Sequence, residues 1–295
     1  MKHALSVDVE DWFMVLNFQD QIDRSEWEKI ELRCGDSARR LLDVLARRDA
    51  KATFFFLGLV AERLPELVRE VHDAGHEIGS HGYDHRCLHE LSQVSFREEL
   101  RRTSKSLAEI TGKAPSLFRA CTWSITGRTP WAVDVLLDEG VVLDSSIYPV
   151  RHPDYGVASA PTHPYRLTHN GRELVEFPPL TLSGMGLRLP VGGGGYLRLF
   201  PLWLLKMGLR QQEKRGWPGC VYLHPWEVDP DQPRRRTGSA LGTFRHYVNL
   251  KRTLPKLDRM LSYRSFVGLE AALDQVRSKL PEHALGTVLG AWRPG

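Results

Sequence analysis

Apolar and polar positions follow two rhythms along this chain: short continuous apolar runs, and longer stretches of helical period. Ala4–Val9 is an almost unbroken apolar run rich in strand formers and predicts a buried strand. Asp36–Arg48 opens on a capping residue and then places apolar side chains at helical spacing. Lys51–Leu57 is again continuous and apolar, as expected of a buried parallel strand. Leu64–Ala74 predicts a helix stopped by Gly75, and His76–Ser80 a short strand that delivers His81 at its end. Ser95–Thr111 reads as a long helix with a Ser95/Glu98 start and Gly112 at its close. Ser116–Ala120 predicts a strand, Thr129–Glu139 a helix and Val141–Leu143 a strand. This alternation predicts an α/β fold built on a parallel sheet.

The middle of the chain breaks the rhythm. Tyr148–Pro190 is rich in Pro, Gly and His, with short extended stretches such as Glu173–Phe177. The Gly192–Gly195 run lacks the G-x-x-x-x-G-K-[ST] pattern of a phosphate loop and reads as a flexible turn over a site. Leu197–Arg215 predicts a helix, Gly219–Leu223 a strand ending in His224-Pro225-Trp226-Glu227, and Thr243–Leu261 a further amphipathic helix. No internal repeat or low-complexity linker divides the chain.

Composition narrows the classes. A formal net charge of +4 over 295 residues is too small to argue for a nucleic-acid partner. The run Arg234–Arg236 lies among prolines and reads as a solvated loop. Met1–Val9 has no secretory apolar core, and no apolar run is long enough for a transmembrane segment. The expected localisation is cytoplasmic, with room for peripheral membrane association. Cys34, Cys87, Cys121 and Cys220 show no C-x-x-C spacing and fit reduced thiols.

Chemistry enters at the strand ends. The first predicted strand runs into Asp8, Glu10 and Asp11, a carboxylate cluster that needs a cation or a proton to be tolerated beside buried structure. Trp12 and Phe13 follow at once, which disfavours a fully solvated turn. His81 and His85 are four residues apart, a spacing that sets two imidazoles on one side of a helical turn or tight loop. Arg119 and His224 each follow another predicted strand. Parallel strands bring their C-terminal ends to one face, so these four clusters can converge.

Six motifs carry a resemblance: S-V-D-V-E-D-W-F at Ser6–Phe13, T-F-F-F-L-G at Thr53–Gly58, G-H-E-I-G-S-H-G-Y-D-H at Gly75–His85, F-R-A at Phe118–Ala120, Y-L-H-P-W-E at Tyr222–Glu227 and F-R-H-Y-V-N-L at Phe244–Leu250. On these the chain resembles the NodB-homology polysaccharide deacetylases, carbohydrate esterase family 4. Within them it is similar to the exosortase- and exopolysaccharide-associated subgroup with a C-terminal extension. The resemblance implies a distorted (β/α)7 barrel across residues 1–295, with 230–295 an extension packed on it. It implies hydrolysis of N-acetyl groups on an amino-sugar polymer or lipid-linked oligosaccharide, using Zn²⁺ or another divalent metal such as Co²⁺. By position Asp8 matches the catalytic base, His224 the general acid and Arg119 the arginine that orients the base. His81 and His85 match the metal histidines. The metal carboxylate stays open between Glu10, on the strand face of Asp8 if the segment is extended, and Asp11, which needs a turn.

Other residues weigh both ways. Tyr83, Trp123 and Trp226 are candidates to stack on sugar faces, although aromatics near a site are also ordinary packing. Cys121 stands where the family usually has proline, and reads first as a small buried hydrophobe, second as a ligand or nucleophile. His76, His89, His152, His163 and His246 lack the context of ligands, while Arg245, His246 and Tyr247 are expected to pack near the substrate cleft. Two rival classes remain: a metal-independent amidohydrolase acting on a small ring amide, and an inactive carbohydrate-binding relative. The pair His81/His85 counts against the first, and the set Asp8, Arg119 and His224 against the second.

Overall fold

The computed structural model describes residues 1–152 and 155–290; the last five positions of the expected extension lie outside the described residues. Twelve strands are present: β1 His3–Val9, β2 Thr53–Phe56, β3 Glu77–Ser80, β4 Leu117–Phe118, β5 Leu143–Asp144, β6 Tyr165–His169, β7 Arg172–Glu176, β8 Thr181–Gly184, β9 Leu187–Pro190, β10 Cys220–Leu223, β11 Phe266–Val267 and β12 Glu282–Ala284. The helices between and after them are α1 Cys34–Arg47, α2 Gly58–Arg63, α3 Pro65–Asp73, α4 Gln93–Thr111, α5 Trp131–Asp138, α6 Gly194–Leu199, α7 Leu202–Lys214, α8 Ala240–Tyr247, α9 Thr253–Tyr263, α10 Leu269–Asp274 and α11 Leu285–Leu289.

The main sheet runs in the order β10-β1-β2-β3-β4-β5-β7-β6-β12, with β11 also pairing to β1. All of its pairings are parallel except the β6/β7 hairpin. Strands covered on both faces can be apolar throughout, which is why β1 and β2 are buried at every position. The chain leaving β7 comes round to β10, where Pro179 bridges Cys220 and the Leu180 N–H donates to the Cys220 carbonyl at 2.8 Å. The seven members from β10 to β7 form an open path whose two ends approach at this isolated bridge, compatible with the expected distorted barrel. After residue 230 the chain adds β11 beside β1 and β12 beside β6, extending the same sheet.

Local chemistry explains where the elements depart from the sequence reading. The long helix α4 starts earlier than expected because Ser92, not Ser95, is its N-cap; the two serines satisfy each other's backbone N–H groups. Its end is as read, with Gly112 left-handed at φ 78°. The stretch expected as one helix over Leu197–Arg215 is two, α6 and α7, because Pro201 cannot continue the first. Thr243–Leu261 is likewise split into α8 and α9, with Asn249 left-handed between them. Within the run read as a flexible loop, Gly193 bridges Tyr222 and Gly194 opens α6.

Candidate active site

The strand ends converge as their order predicts. β1 stops at Val9 because the Glu10 N–H turns back to the Asp8 carbonyl at 3.0 Å. Both side chains then lie in a cleft of about 460 Å³ with His81, His85, Trp123, His224 and Trp226. Asp8 Oδ1 accepts from Arg119 Nη1 at 2.7 Å. Arg119 is fully buried, and its other N–H groups reach Ser6 Oγ, the Ser145 carbonyl and Ser145 Oγ at 2.6, 3.0 and 2.8 Å. A guanidinium satisfied on every side is a rigid fork, so it fixes the direction of the Asp8 carboxylate.

The histidines are set by their own backbone contacts. The His81 N–H donates to the Phe56 carbonyl at 2.8 Å, holding the end of β3 against β2. His81 Nδ1 lies 2.7 Å from the Arg119 carbonyl. A carbonyl only accepts, so the ring proton sits on Nδ1 and Nε2 presents a lone pair. Burial lowers the His81 pKa to about 4 and keeps the ring neutral, as a metal ligand must be. The loop that follows carries Gly82 and His85 at φ 77° and 58°, left-handed conformations that bring the second imidazole back beside the first.

Glu10 is the carboxylate these rings face. Its Oε2 lies 2.7 Å from His85 Nε2 and 3.9 Å from His81 Nε2. Its other oxygen accepts from the Trp226 indole N–H at 3.1 Å. Burial pushes the carboxyl pKa up, but His85, His224 and His81 outweigh it and hold it down to about 2. Oε2 itself is buried and accepts no hydrogen bond. A buried charged oxygen without a donor, facing two imidazoles, is the arrangement a divalent cation completes.

On the opposite wall His224 closes the set, with Nε2 at 3.8 Å from Asp8 and 3.6 Å from Glu10. Its Nδ1 donates to Glu227 Oε2 at 3.0 Å, and the same oxygen accepts the His224 backbone N–H. Burial pushes this imidazole down, yet Glu10, Glu227 and Asp8 together raise it to about 9. Glu227 is in turn held through Oε1 by Arg198 Nε at 3.0 Å. Arg198 Nη1 reaches the carbonyls of Arg245, His246 and Val248, which ties the His224 wall to α8. Gly194 makes room for this: a Cβ there would lie 1.7 Å from Glu227 Oε2.

Several expected residues fall elsewhere. Asp11, one of the two open choices for the metal carboxylate, is turned from the cleft. Its oxygens accept the backbone N–H groups of Trp12, Arg33 and Cys34 at 2.8, 2.6 and 2.7 Å, so it anchors the start of α1. Tyr83 is not in the cleft either; its hydroxyl donates to Glu62 and Arg102 stacks on its ring at 3.8 Å. Its place is over Gly58, where a Cβ would meet the ring at 2.6 Å. Trp123 and Trp226 do line the cleft, as do Arg245 and His246, whereas Tyr247 borders a separate surface groove. His246 stacks flat on Trp226 with centroids 4.5 Å apart, and burial lowers its pKa to about 3. Glu227, Arg198 and Gly194 were missed; the three-residue step from His224 to Glu227 was the one available signal. All four cysteines are buried and unbridged.

Known proteins share this organisation. Residues 13–136 match the family described as "Polysaccharide deacetylase", and residues 145–274 match one described as a domain of unknown function, DUF3473. A peptidoglycan-N-acetylglucosamine deacetylase of Bacillus cereus is 36% identical over 118 residues, which is 36% of this chain and 43% of that protein. A chitin deacetylase of Colletotrichum lindemuthianum is 35% identical over 86 residues, covering 28% of this chain and 35% of its own. The chain thus spans less than half the length of these curated relatives. Among solved structures, one from Mycobacterium smegmatis, provisionally named a polysaccharide deacetylase, aligns over 100% of this chain and 95% of its own, with a TM-score of 0.61 and 22% identity. The allantoinase Puue aligns over 94% and 90% with a TM-score of 0.58 and 19% identity. These two likenesses concern the fold alone.

Proposed function

We propose that this chain, which carries a polysaccharide deacetylase domain joined to a DUF3473 segment, hydrolyses N-acetyl groups on an amino-sugar polymer and releases acetate. The observation that carries the reading is the orphaned Glu10 Oε2, facing His81 and His85 beside an arginine-held Asp8 and a carboxylate-held His224. Glu10, His81 and His85 would hold a divalent metal, Zn²⁺ or Co²⁺ by their nitrogen and oxygen donors. When bound it supplies Lewis acidity for the acetamide carbonyl.

The chain's own groups do the rest. Asp8, aimed by Arg119, takes a proton from the attacking water. A backbone N–H of the cleft lining, for which Thr122 is our candidate, donates to the oxyanion. His224 enters as an imidazolium and gives a proton to the leaving amine; Glu227 keeps it charged and oriented even when a cation neutralises Glu10. Trp123 and Trp226 give the sugar apolar walls. Peptidoglycan and chitin are the polymers named for the relatives, and an exopolysaccharide, free or carried on a lipid, is the natural polymer we favour for this chain.

The test is acetate release from N-acetylglucosamine oligomers and partly acetylated polymers. Apoprotein should be inactive, Zn²⁺ or Co²⁺ should restore it, and Asp8→Asn should abolish release while metal still binds. Release that is indifferent to chelation would move the reading to a metal-independent amidohydrolase. Tight metal binding without release from any amino-sugar substrate would overturn the polymer assignment.

A further inference from the structure

We propose that Cys121 is a sulfur ligand of the metal that Glu10, His81 and His85 would hold, an inference that rests on the metal-dependent reading above. One ligand atom from each of His81, His85 and Cys121 lies within 4.8 Å of the other two, and all three residues are buried. The sulfur is pinned to this place: the Cys121 thiol donates to the His81 carbonyl at 2.9 Å. The cleft is lined by Ala120 and Thr122, the residues on either side, while Cys121 is 3% exposed with its sulfur against the His81 carbonyl. The backbone that follows is held in an uncommon form, with Thr122 and Trp123 left-handed at φ 53° and 54°. Non-glycine residues occupy that region at a cost and only where the surroundings impose it.

A second observation points to the same ion. Glu10 Oε2 is buried, makes no hydrogen bond of good geometry and faces His85 Nε2 at 2.7 Å and His81 Nε2 at 3.9 Å, so donor atoms of the same cluster already converge on one place. Imidazole nitrogen, carboxylate oxygen and thiolate are all donors zinc accepts, and its expansion to five ligands leaves a place for the acetamide carbonyl. On binding, the S–H bond breaks, its proton leaves to solvent, and a sulfur–metal bond replaces the hydrogen bond to the His81 carbonyl. A thiolate softens the donor set and so favours Zn²⁺ and Co²⁺ over Mg²⁺ and Mn²⁺.

The experiment needs no substrate. Apoprotein is titrated with Co²⁺ and its absorption recorded for wild type, Cys121→Ser and Cys121→Ala. The expected result is a sulfur-to-cobalt charge-transfer band in the near ultraviolet for wild type, lost in both variants while the visible ligand-field bands of bound cobalt persist. Zinc affinity measured by competition should fall about tenfold or more in Cys121→Ala. X-ray absorption on the zinc-loaded wild type, which depends on no variant, should show one sulfur at about 2.3 Å. Ligand-field bands without a charge-transfer band in wild type, or a zinc shell of nitrogen and oxygen alone, would overturn the assignment of Cys121 and leave the deacetylase intact. Absence of any cobalt band would overturn the metal-dependent reading itself.

Discussion

At the scale of single residues, the site works through carboxylates that are held and one that is not. Asp8 is gripped by Arg119, Glu227 by Arg198, and Glu10 has one oxygen that faces two imidazoles without a hydrogen bond of good geometry. Glu227→Gln removes the charge that orients and protonates His224; the expected outcome is a fall in kcat on the order of 10²-fold with KM little changed. Steady-state kinetics on an N-acetylated oligomer checks it, and Glu227→Asp should recover part of the loss. Tyr83 supplies the contrast. Because its ring packs on Gly58 and Arg102 outside the cleft, Tyr83→Phe should leave KM for any oligomer unchanged. A several-fold rise in KM would return it to the substrate. The strand-end residues Asp8, His81, Arg119 and His224 were legible because a parallel sheet gathers the residues that follow its strands. Tyr83 and Asp11 were misplaced because sequence proximity to a motif does not say which way a loop residue turns.

At the scale of elements, the second half of the chain builds the wall that carries His224. The short helix α6 brings Gly194 against Glu227 and Arg198 into hydrogen bond with it, and α8 offers its last carbonyls to the same guanidinium. Arg198→Met should cost about 1–3 kcal/mol, because it leaves Glu227 Oε1 buried without its donor while Oε2 keeps His224. Urea unfolding of the variant beside wild type measures this, and a change within error would show that the pair is not what holds α6 to the barrel. Gly194→Ala meets a harder limit, since the new methyl would fall on the Glu227 carboxylate; activity should drop even if the protein folds. None of this was visible in a run of four glycines, which as sequence carries no periodicity and so reads as a loop. The splitting of two expected helices has the same origin: the apolar spacing continues across Pro201 and Asn249, while the backbone does not.

At the scale of the whole molecule, the sheet hides a pair of carboxyls that takes no part in the cleft. Asp144 and Glu176 lie side by side across β5 and β7, both fully buried, and burial pushes both carboxyls up, Asp144 to about 6. The neutral acid is the form the fold prefers. A carboxyl whose folded pKa is raised favours folding fully below its unfolded value, and that contribution is lost as pH rises through the folded value. Asp144 should therefore weaken the fold as pH climbs from about 4 to about 6 and beyond. Denaturation midpoints of wild type and Asp144→Asn at pH 5 and 7.5 test this: the variant should gain on wild type at the higher pH. A constant difference between the two would remove the pair from the pH response. The α/β class and the order of the first five strands could be read from apolar runs, because parallel strands are apolar throughout. Of the β6/β7 and β8/β9 hairpins only β7 could, as the extended stretch Glu173–Phe177, since the exposed faces of the others leave short mixed patterns.

The pairing of β1 has a bearing on synthesis as well as on chemistry. One neighbour of this strand, β10, lies roughly two hundred residues downstream, and β11 lies later still, so β1 is synthesised well before either. At typical elongation rates that is a wait on the order of ten seconds or more. Through that interval an apolar strand ending in Asp8 stands with one side open. The nascent chain would then need a holding chaperone or a temporary partner, and production of this protein should respond more to how translation is paced and protected than to how stable the finished barrel is.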